Sequence, residues 1–357
     1  MTYGVIMAGG KGTRLWPEGR KTRPKQLLDL IDHRPMLRVA VDRLAPLIPV
    51  ERQIIVTTRE YASEIARALP AFPAENILVE PLGKDTAPCI GWAALKVTER
   101  DPTATMAVVT ADHFIADETG FREVLHAAVT VAENAPCVVV VGFVPLRPDT
   151  GLGYIRFGHE IREIEGIQFY RVDEFVEKPN KAKAIQYVED GRYLWNSGMF
   201  VMQARHALNL FSRFLPRHFA LLEEIKSSLG TPDEPAVTEN AYQRFDRVSL
   251  DVGIMEKADN VEVIRADFGW LDIGTWAALD QISLHDARGN VVRGQHVGLD
   301  TERCIIRTSN SVVATMGVHD LVIIETDAAV LVCPKSRVQE VKNLVEALER
   351  EGREDVT

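Results

Sequence analysis

The chain has 357 residues, 46% hydrophobic and 26% charged, with a formal net charge of −10; this balance fits a soluble globular protein and excludes a disordered one. Its length points to one large domain with a smaller companion. No apolar run is long enough to span a membrane, no signal-peptide pattern is present, and the acidity argues against a nucleic-acid partner. Cys89, Cys137, Cys304 and Cys333 lie far apart with no Cys-x-x-Cys pair. That spacing predicts buried free thiols in a cytoplasmic protein rather than a zinc site.

The first predicted strand, residues 3–8, is a short apolar run. It breaks into Gly9-Gly10-Lys11-Gly12-Thr13-Arg14, then Leu15-Trp16-Pro17 and Pro24-Lys25-Gln26. The glycines let the backbone turn sharply and approach a ligand closely. Residues 11–25 carry six cations (Lys11, Arg14, Arg20, Lys21, Arg23, Lys25) against Glu18 alone, a net +5 in an acidic chain. Exposed amides with clustered cations suit a polyanion, most simply a nucleoside triphosphate. No Walker spacing occurs, and a dinucleotide fingerprint starting at Gly10 would need glycine where Leu15 stands.

Further strands are predicted at 53–58, 77–79, 105–110 and 137–143, alternating with helices at 36–44, 62–69, 87–99 and 121–133. The strands are continuous apolar runs, as in a sheet covered by helices on both faces. The fold class is therefore α/β, a doubly wound and mostly parallel sheet that binds its ligand beyond the strands' carboxyl ends. Asp112 follows the strand 105–110 at such a place. A hard carboxylate there suits Mg²⁺, and a turn or helix cap is the competing reading of an isolated aspartate. Extended segments follow at 154–157, 169–176 and 199–203, with helices at 181–190, 206–214 and 219–228. Residues 231–235 read as a polar surface loop. From 289 the texture becomes short β-rich runs (291–292, 304–307, 312–315, 321–325, 330–332) closed by an amphipathic helix at 338–348. The expected domains are thus 1–288 and a small β-rich unit at 289–357.

The opening loop resembles the signature loop of the nucleotide-sugar pyrophosphorylases, a nucleotidyltransferase family. Its Leu15-Trp16-Pro17 and Pro24-Lys25-Gln26 extensions resemble the mannose-1-phosphate guanylyltransferase branch. Other motifs follow in family order. Glu80-Pro81-Leu82-Gly83-Lys84-Asp85-Thr86-Ala87-Pro88 is similar to the base-recognition loop, although relatives often read Arg-Asn where Lys84-Asp85 stand. Ala111-Asp112-His113 and Gly269-Trp270-Leu271-Asp272-Ile273-Gly274-Thr275-Trp276 match the contexts of the two metal-binding aspartates. For Asp272 the competing reading is a cap before a helix at 275–280. Asp149-Thr150-Gly151-Leu152-Gly153-Tyr154, with Leu152 where Tyr is common, resembles a sugar-contacting loop. Phe175-Val176-Glu177-Lys178-Pro179, Trp195-Asn196-Ser197-Gly198 and the segment around Asp251 resemble the rest of the sugar-phosphate site.

The resemblance implies a Rossmann-like nucleotidyltransferase fold. It implies transfer of GMP from GTP to α-mannose 1-phosphate, by in-line attack with Mg²⁺ and without a covalent intermediate. Ala8, Gly9, Gly10, Lys11, Gly12, Thr13, Pro81, Asp85 and Thr86 would hold the nucleotide. Gly153, Tyr154, Glu177, Lys178, Asn196 and Asp251 would hold the sugar phosphate, and Asp112 and Asp272 the metal. Arg14, Lys25 and Lys178 would neutralise the reacting phosphates. Two alternatives stand beside this reading: another NDP-sugar pyrophosphorylase, and a non-catalytic sugar-nucleotide sensor. Similar families carry a small C-terminal β domain, in some cases a short β-helix that takes part in dimerisation, so a homodimer is expected. The sequence shows no clean hexapeptide repeat.

Overall fold

The computed structural model describes residues 1–10 and 12–357. Lys11 lies outside the described residues. The first half alternates strands and helices: β1 (Thr2–Met7), α1 (Met36–Leu44), β2 (Gln53–Thr58), α2 (Ala62–Ala68), β3 (Ile77–Glu80), α3 (Thr86–Arg100), β4 (Thr105–Thr110), β5 (His113–Ile115), α4 (Glu118–Asn134) and β6 (Val138–Phe143). Local chemistry sets the helix starts. Asp117 Oδ1 accepts from the Thr119 and Gly120 amides at the head of α4, satisfying two of the donors a helix start leaves open.

The middle adds β7 (Tyr154–Ile164), β8 (Ile167–Val176), α5 (Lys181–Asp190), β9 (Tyr193–Gln203), α6 (Ala204–Phe214), α7 (Pro216–Ser228), α8 (Glu234–Arg244), β10 (Val261–Ala266), β11 (Trp270–Asp272) and α9 (Leu279–Ile282). β7 and β8 form a hairpin across Glu165-Gly166, both at positive φ, as a two-residue turn matching strand twist requires. Two segments differ from expectation. The stretch 231–235 runs into α8, whose only buried residues are Thr238, Ala241 and Tyr242, too few for an apolar stripe to show. The helix expected at 275–280 is a 3₁₀ turn, Trp276–Ala278, followed by the single turn of α9.

Nine strands form the main sheet, in the order β3-β2-β1-β4-β9-β6-β10-β8-β7. The β3-β2-β1-β4 block is parallel and so is β6 with β10. β9 runs antiparallel between β4 and β6, and β7 and β8 complete an antiparallel far edge. One face of the sheet packs on α3, α6, α7 and α8, and the other on α1, α2 and α4. This is the expected α/β sandwich, with its parallel strands concentrated in the first half. β5 and β11 pair separately, bringing His113 opposite Asp272.

The C-terminal domain contains β12 (Val291–Arg293), β13 (His296–Leu299), β14 (Ile305–Arg307), β15 (Val313–Met316), β16 (Leu321–Glu325), β17 (Val330–Pro334) and the terminal helix α10 (Val341–Arg350). β12, β14 and β16 form one parallel ladder and β13 and β15 a second. A chain that alternates between two parallel ladders is a short β-helical coil. Its core takes in Leu15, Trp16, Leu28 and Leu30 of the first domain together with Trp276. Among the described residues no helix is long and apolar enough to cross a membrane. All four cysteines are free, and Cys333 is only half-buried.

Candidate active site

β1 ends at the centre of the parallel block, and its continuation is held tightly. The Ala8 amide donates to the Val56 carbonyl at 2.8 Å. The Ala8 carbonyl accepts from Gln26 Nε2 and from Thr57 Oγ1, each at 2.9 Å. Gln26 thereby ties the returning Pro24-Lys25-Gln26 segment to the strand end. Gly12 has φ 68°, and a Cβ there would lie 2.6 Å from the Lys25 Cβ, so only glycine fits. At Gly9 and Gly10 a Cβ would meet nothing within 4 Å. These two residues face open space, with bare backbone available to a ligand.

The cationic stretch does not act as one patch. Lys21 pairs with Glu349 at 2.9 Å and Arg23 with Asp29 at 3.3 Å, both away from the cleft. Arg14 is exposed beside the Asp272 turn, with Nη1 donating to Gln339 Oε1 at 2.9 Å. Lys25 is buried, and its Nζ lies 2.7 Å from Asp112 Oδ2 and 3.0 Å from Asp272 Oδ1. Burial alone would push the Lys25 ammonium down; the two carboxylates overcome this and hold it above its ordinary value. Burial works against the Asp272 carboxylate as well, and the Lys25 ammonium outweighs it, holding the carboxyl below the usual range. Both candidate metal aspartates thus converge on one cation, the Lys25 ammonium. Burial pushes the His113 imidazole down, so it serves as a neutral ring whose Nδ1 accepts from Trp270 Nε1 at 3.0 Å.

A second acidic cluster forms where β7, β9 and a π-helical turn at Asp251–Met255 meet. Asn196 Nδ2 donates to Asp251 Oδ1 at 2.8 Å, and the Asn196 amide donates to the Gly153 carbonyl at 2.8 Å. A Cβ on Gly153 would sit 2.5 Å from Glu177 Oε2. Burial, then the neighbouring Glu177, pushes the Asp251 carboxyl up to about 7. Lys178 Nζ donates to Glu177 Oε1 at 2.5 Å from a backbone at φ 46°. Gly153, Glu177, Lys178, Asn196 and Asp251 are therefore one cluster. Tyr154 is fully buried, and its hydroxyl accepts from the Asp149 amide and donates to the Asp149 carbonyl. That side chain fixes the 149–153 loop and leaves no free hydroxyl for a ligand.

On the other side of Asp112 a cleft of about 320 Å³ is lined by Gly9, Gly10, Glu80, Gly83, Asp85, Thr86 and Arg247, among others. Asp85 sits at φ 74° and caps α3 through the Thr86 amide. Thr86 Oγ1 accepts from the Leu250 amide at 2.9 Å. Lys84 turns away and donates to the Phe245 carbonyl at 2.8 Å. Pro81 is not among the cleft-lining residues. Glu80, quoted in the motif but assigned no role from sequence, is buried at the end of β3. Its Oε1 has no hydrogen-bond partner among the described residues, and burial pushes its carboxyl up to about 8. Its place before Pro81 at a strand's carboxyl end was the available signal.

The nucleotidyl transferase family model matches residues 3–289, and the mannoseP isomerase/GMP-like beta-helix domain model matches 294–348. The chain is 37% identical to the mannose-1-phosphate guanylyltransferase of Escherichia coli K12, over 99% of this chain and 74% of that one. It is 33% identical to the alginate biosynthesis protein AlgA of Pseudomonas aeruginosa, over 98% of this chain and 73% of that one. Among solved structures it resembles the mannose-1-phosphate geranyltransferase of Thermus thermophilus, with a TM-score of 0.88, 38% identity, and 98% and 99% of the two chains covered.

Proposed function

Because the chain belongs to the nucleotidyl transferase family and is an enzyme of its mannose-1-phosphate guanylyltransferase group, we propose the following reaction in detail. A phosphate oxygen of α-mannose 1-phosphate attacks the α-phosphorus of GTP in line. Pyrophosphate leaves, GDP-mannose forms, and no protein group becomes covalently attached. Such a transfer needs positioning and charge neutralisation more than a nucleophile. The observation that carries the reading is the convergence of Lys25, Asp112 and Asp272 beside the bare backbone of Gly9-Gly10.

In this reading Gly9 and Gly10 present the loop backbone to the triphosphate, and Arg14 balances the departing pyrophosphate. Lys25 faces the α-phosphate, and Lys178 holds the incoming sugar phosphate while Glu177, Asn196 and Asp251 meet its hydroxyls. Two hard carboxylates fit Mg²⁺, which takes its remaining ligands from phosphate and water. Asp112 and Asp272 would hold it, and when bound it neutralises charge on the phosphates. The base in this reading is guanine, seated in the neighbouring cleft lined by Gly83, Asp85 and Thr86. The reading includes a homodimer, supported by Val297, Leu299 and Met316, which stand exposed along paired strands of the C-terminal domain.

The test is pyrophosphate release across four nucleoside triphosphates and a set of hexose 1-phosphates, with and without Mg²⁺. GTP with mannose 1-phosphate should dominate and require the metal. Faster turnover with another pair, or metal-independent turnover, would refute the assignment.

A further inference from the structure

The C-terminal β domain forms one wall of the active-site cleft. A cavity of about 410 Å³ is lined by Arg14, Asp149, Asp272 and Gly274 from the first domain and by Lys335 and Gln339 from the second. Arg14 crosses this boundary. A Cβ on Gly274 would lie 3.7 Å from one of its guanidinium nitrogens, and its Nη1 donates to Gln339 Oε1 at 2.9 Å. Four further contacts brace the loop behind Arg14. Arg307 on β14 donates from Nε and Nη2 to the two Glu18 oxygens, at 2.8 and 3.0 Å, with both side chains buried. The Arg307 guanidinium also lies over the Trp276 ring, 5.6 Å from its centroid. Trp276 Nε1 donates to the Trp16 carbonyl at 2.9 Å, and Trp16 Nε1 donates to the Val356 carbonyl at 2.7 Å.

We propose that the C-terminal domain aims the catalytic loop: Arg307 fixes its backbone through Glu18, and Gln339 orients the Arg14 guanidinium. Both are positioning residues, since neither needs to touch substrate. The chemistry favours such a device. An exposed arginine carries large side-chain entropy, and a fixed planar acceptor holds its fork in one orientation before the triphosphate arrives. A bidentate arginine–carboxylate pair sets direction as well as distance. Because Glu18 and Arg307 are buried together, they hold the loop against the β coil as one rigid unit. The inference rests on the role given to Arg14 in the proposed reaction.

Gln339 is exposed, so replacing it leaves the core intact. Gln339→Leu should raise the KM for GTP, and for pyrophosphate in the reverse direction, by about three- to tenfold. The KM for mannose 1-phosphate and the melting temperature should stay as in the parent. Gln339→Glu, which keeps an acceptor, should return most of the loss. In an Arg14→Ala background Gln339→Leu should have no further effect, because the glutamine acts only through the arginine. Unchanged constants in Gln339→Leu, with Arg14→Ala impaired, would overturn the positioning role alone. Full activity in Arg14→Ala would overturn the reading of Arg14 and this inference with it. For the buried pair, Glu18→Gln with Arg307→Met removes both charges at once and should fold. It should raise the same KM values, and a parent-like profile would remove Arg307 from the device.

Discussion

The site contains two acidic clusters that the structure treats in opposite ways. Around Lys25, burial disfavours both the ammonium and the Asp272 carboxylate, yet the two stabilise each other and Asp272 stays ionised. Around Asn196, the buried Asp251 has another acid, Glu177, as its neighbour and is pushed up to about 7. The first cluster is a place for cations. The second can keep a proton near neutrality, so its carboxyl can both donate to and accept from a sugar hydroxyl. Aspartate in a sequence therefore does not specify charge; the neighbours decide it.

The sharpest break in this contrast is Asp272→Asn. It leaves Lys25 with one carboxylate, and turnover should fall by about a hundredfold or more if the pair neutralises developing charge. Turnover within a factor of two of the parent would end the metal assignment. Lys178→Ala removes the cation bordering the second cluster. It should raise the KM for mannose 1-phosphate by about ten- to a hundredfold with the KM for GTP little changed; the reverse pattern would move Lys178 to the nucleotide side. Gly153→Ala places a methyl against Glu177 and should raise the same KM by about three- to tenfold. An unchanged KM would show that Glu177 can shift without cost to sugar binding.

The smallest effect separates the clusters by pH. Folded Asp251 keeps its proton to about pH 7, whereas the unfolded chain releases it near 3.8. Its contribution to stability is full below that lower value and is lost as pH rises toward 7. Asp272 has the opposite sign, with a contribution present above 3.8 and lost as pH falls. Denaturant titrations from pH 4 to 7 should show Asp251→Asn flattening the slope by no more than about 1.4 kcal/mol per pH unit. An unaltered slope would place the raised carboxyl elsewhere.

Much of the fold was legible because its strands are buried on both faces. Residues 53–58 and 105–110 read as strands with the bounds the structure gives, since continuous apolar runs flanked by polar turns leave little choice. The antiparallel insertion of β9 was not legible, because its pairing partners in β4 and β6 lie far away in sequence and leave no local trace. The β-helical coil was hidden for a different reason. Val291 pairs with Ile305, fourteen residues on, whereas Ile305 pairs with Val322, seventeen on. Unequal rungs produce no repeat to read. Within the site, the motifs pair Asp112 with Asp272 and set Lys25 at the α-phosphate; they do not show that the Lys25 ammonium lies against both carboxylates. They could not show that Lys21 and Arg23 face away, because a run of cations gives no direction.

The Ala8 carbonyl has a further consequence. Both of its lone pairs are engaged, one by Gln26 and one by Thr57. That acceptor is thus withdrawn from the cleft, while the glycines beyond it face open space. A carbonyl dipole that would repel a phosphate chain arriving beside Gly9 and Gly10 is therefore turned into the fold.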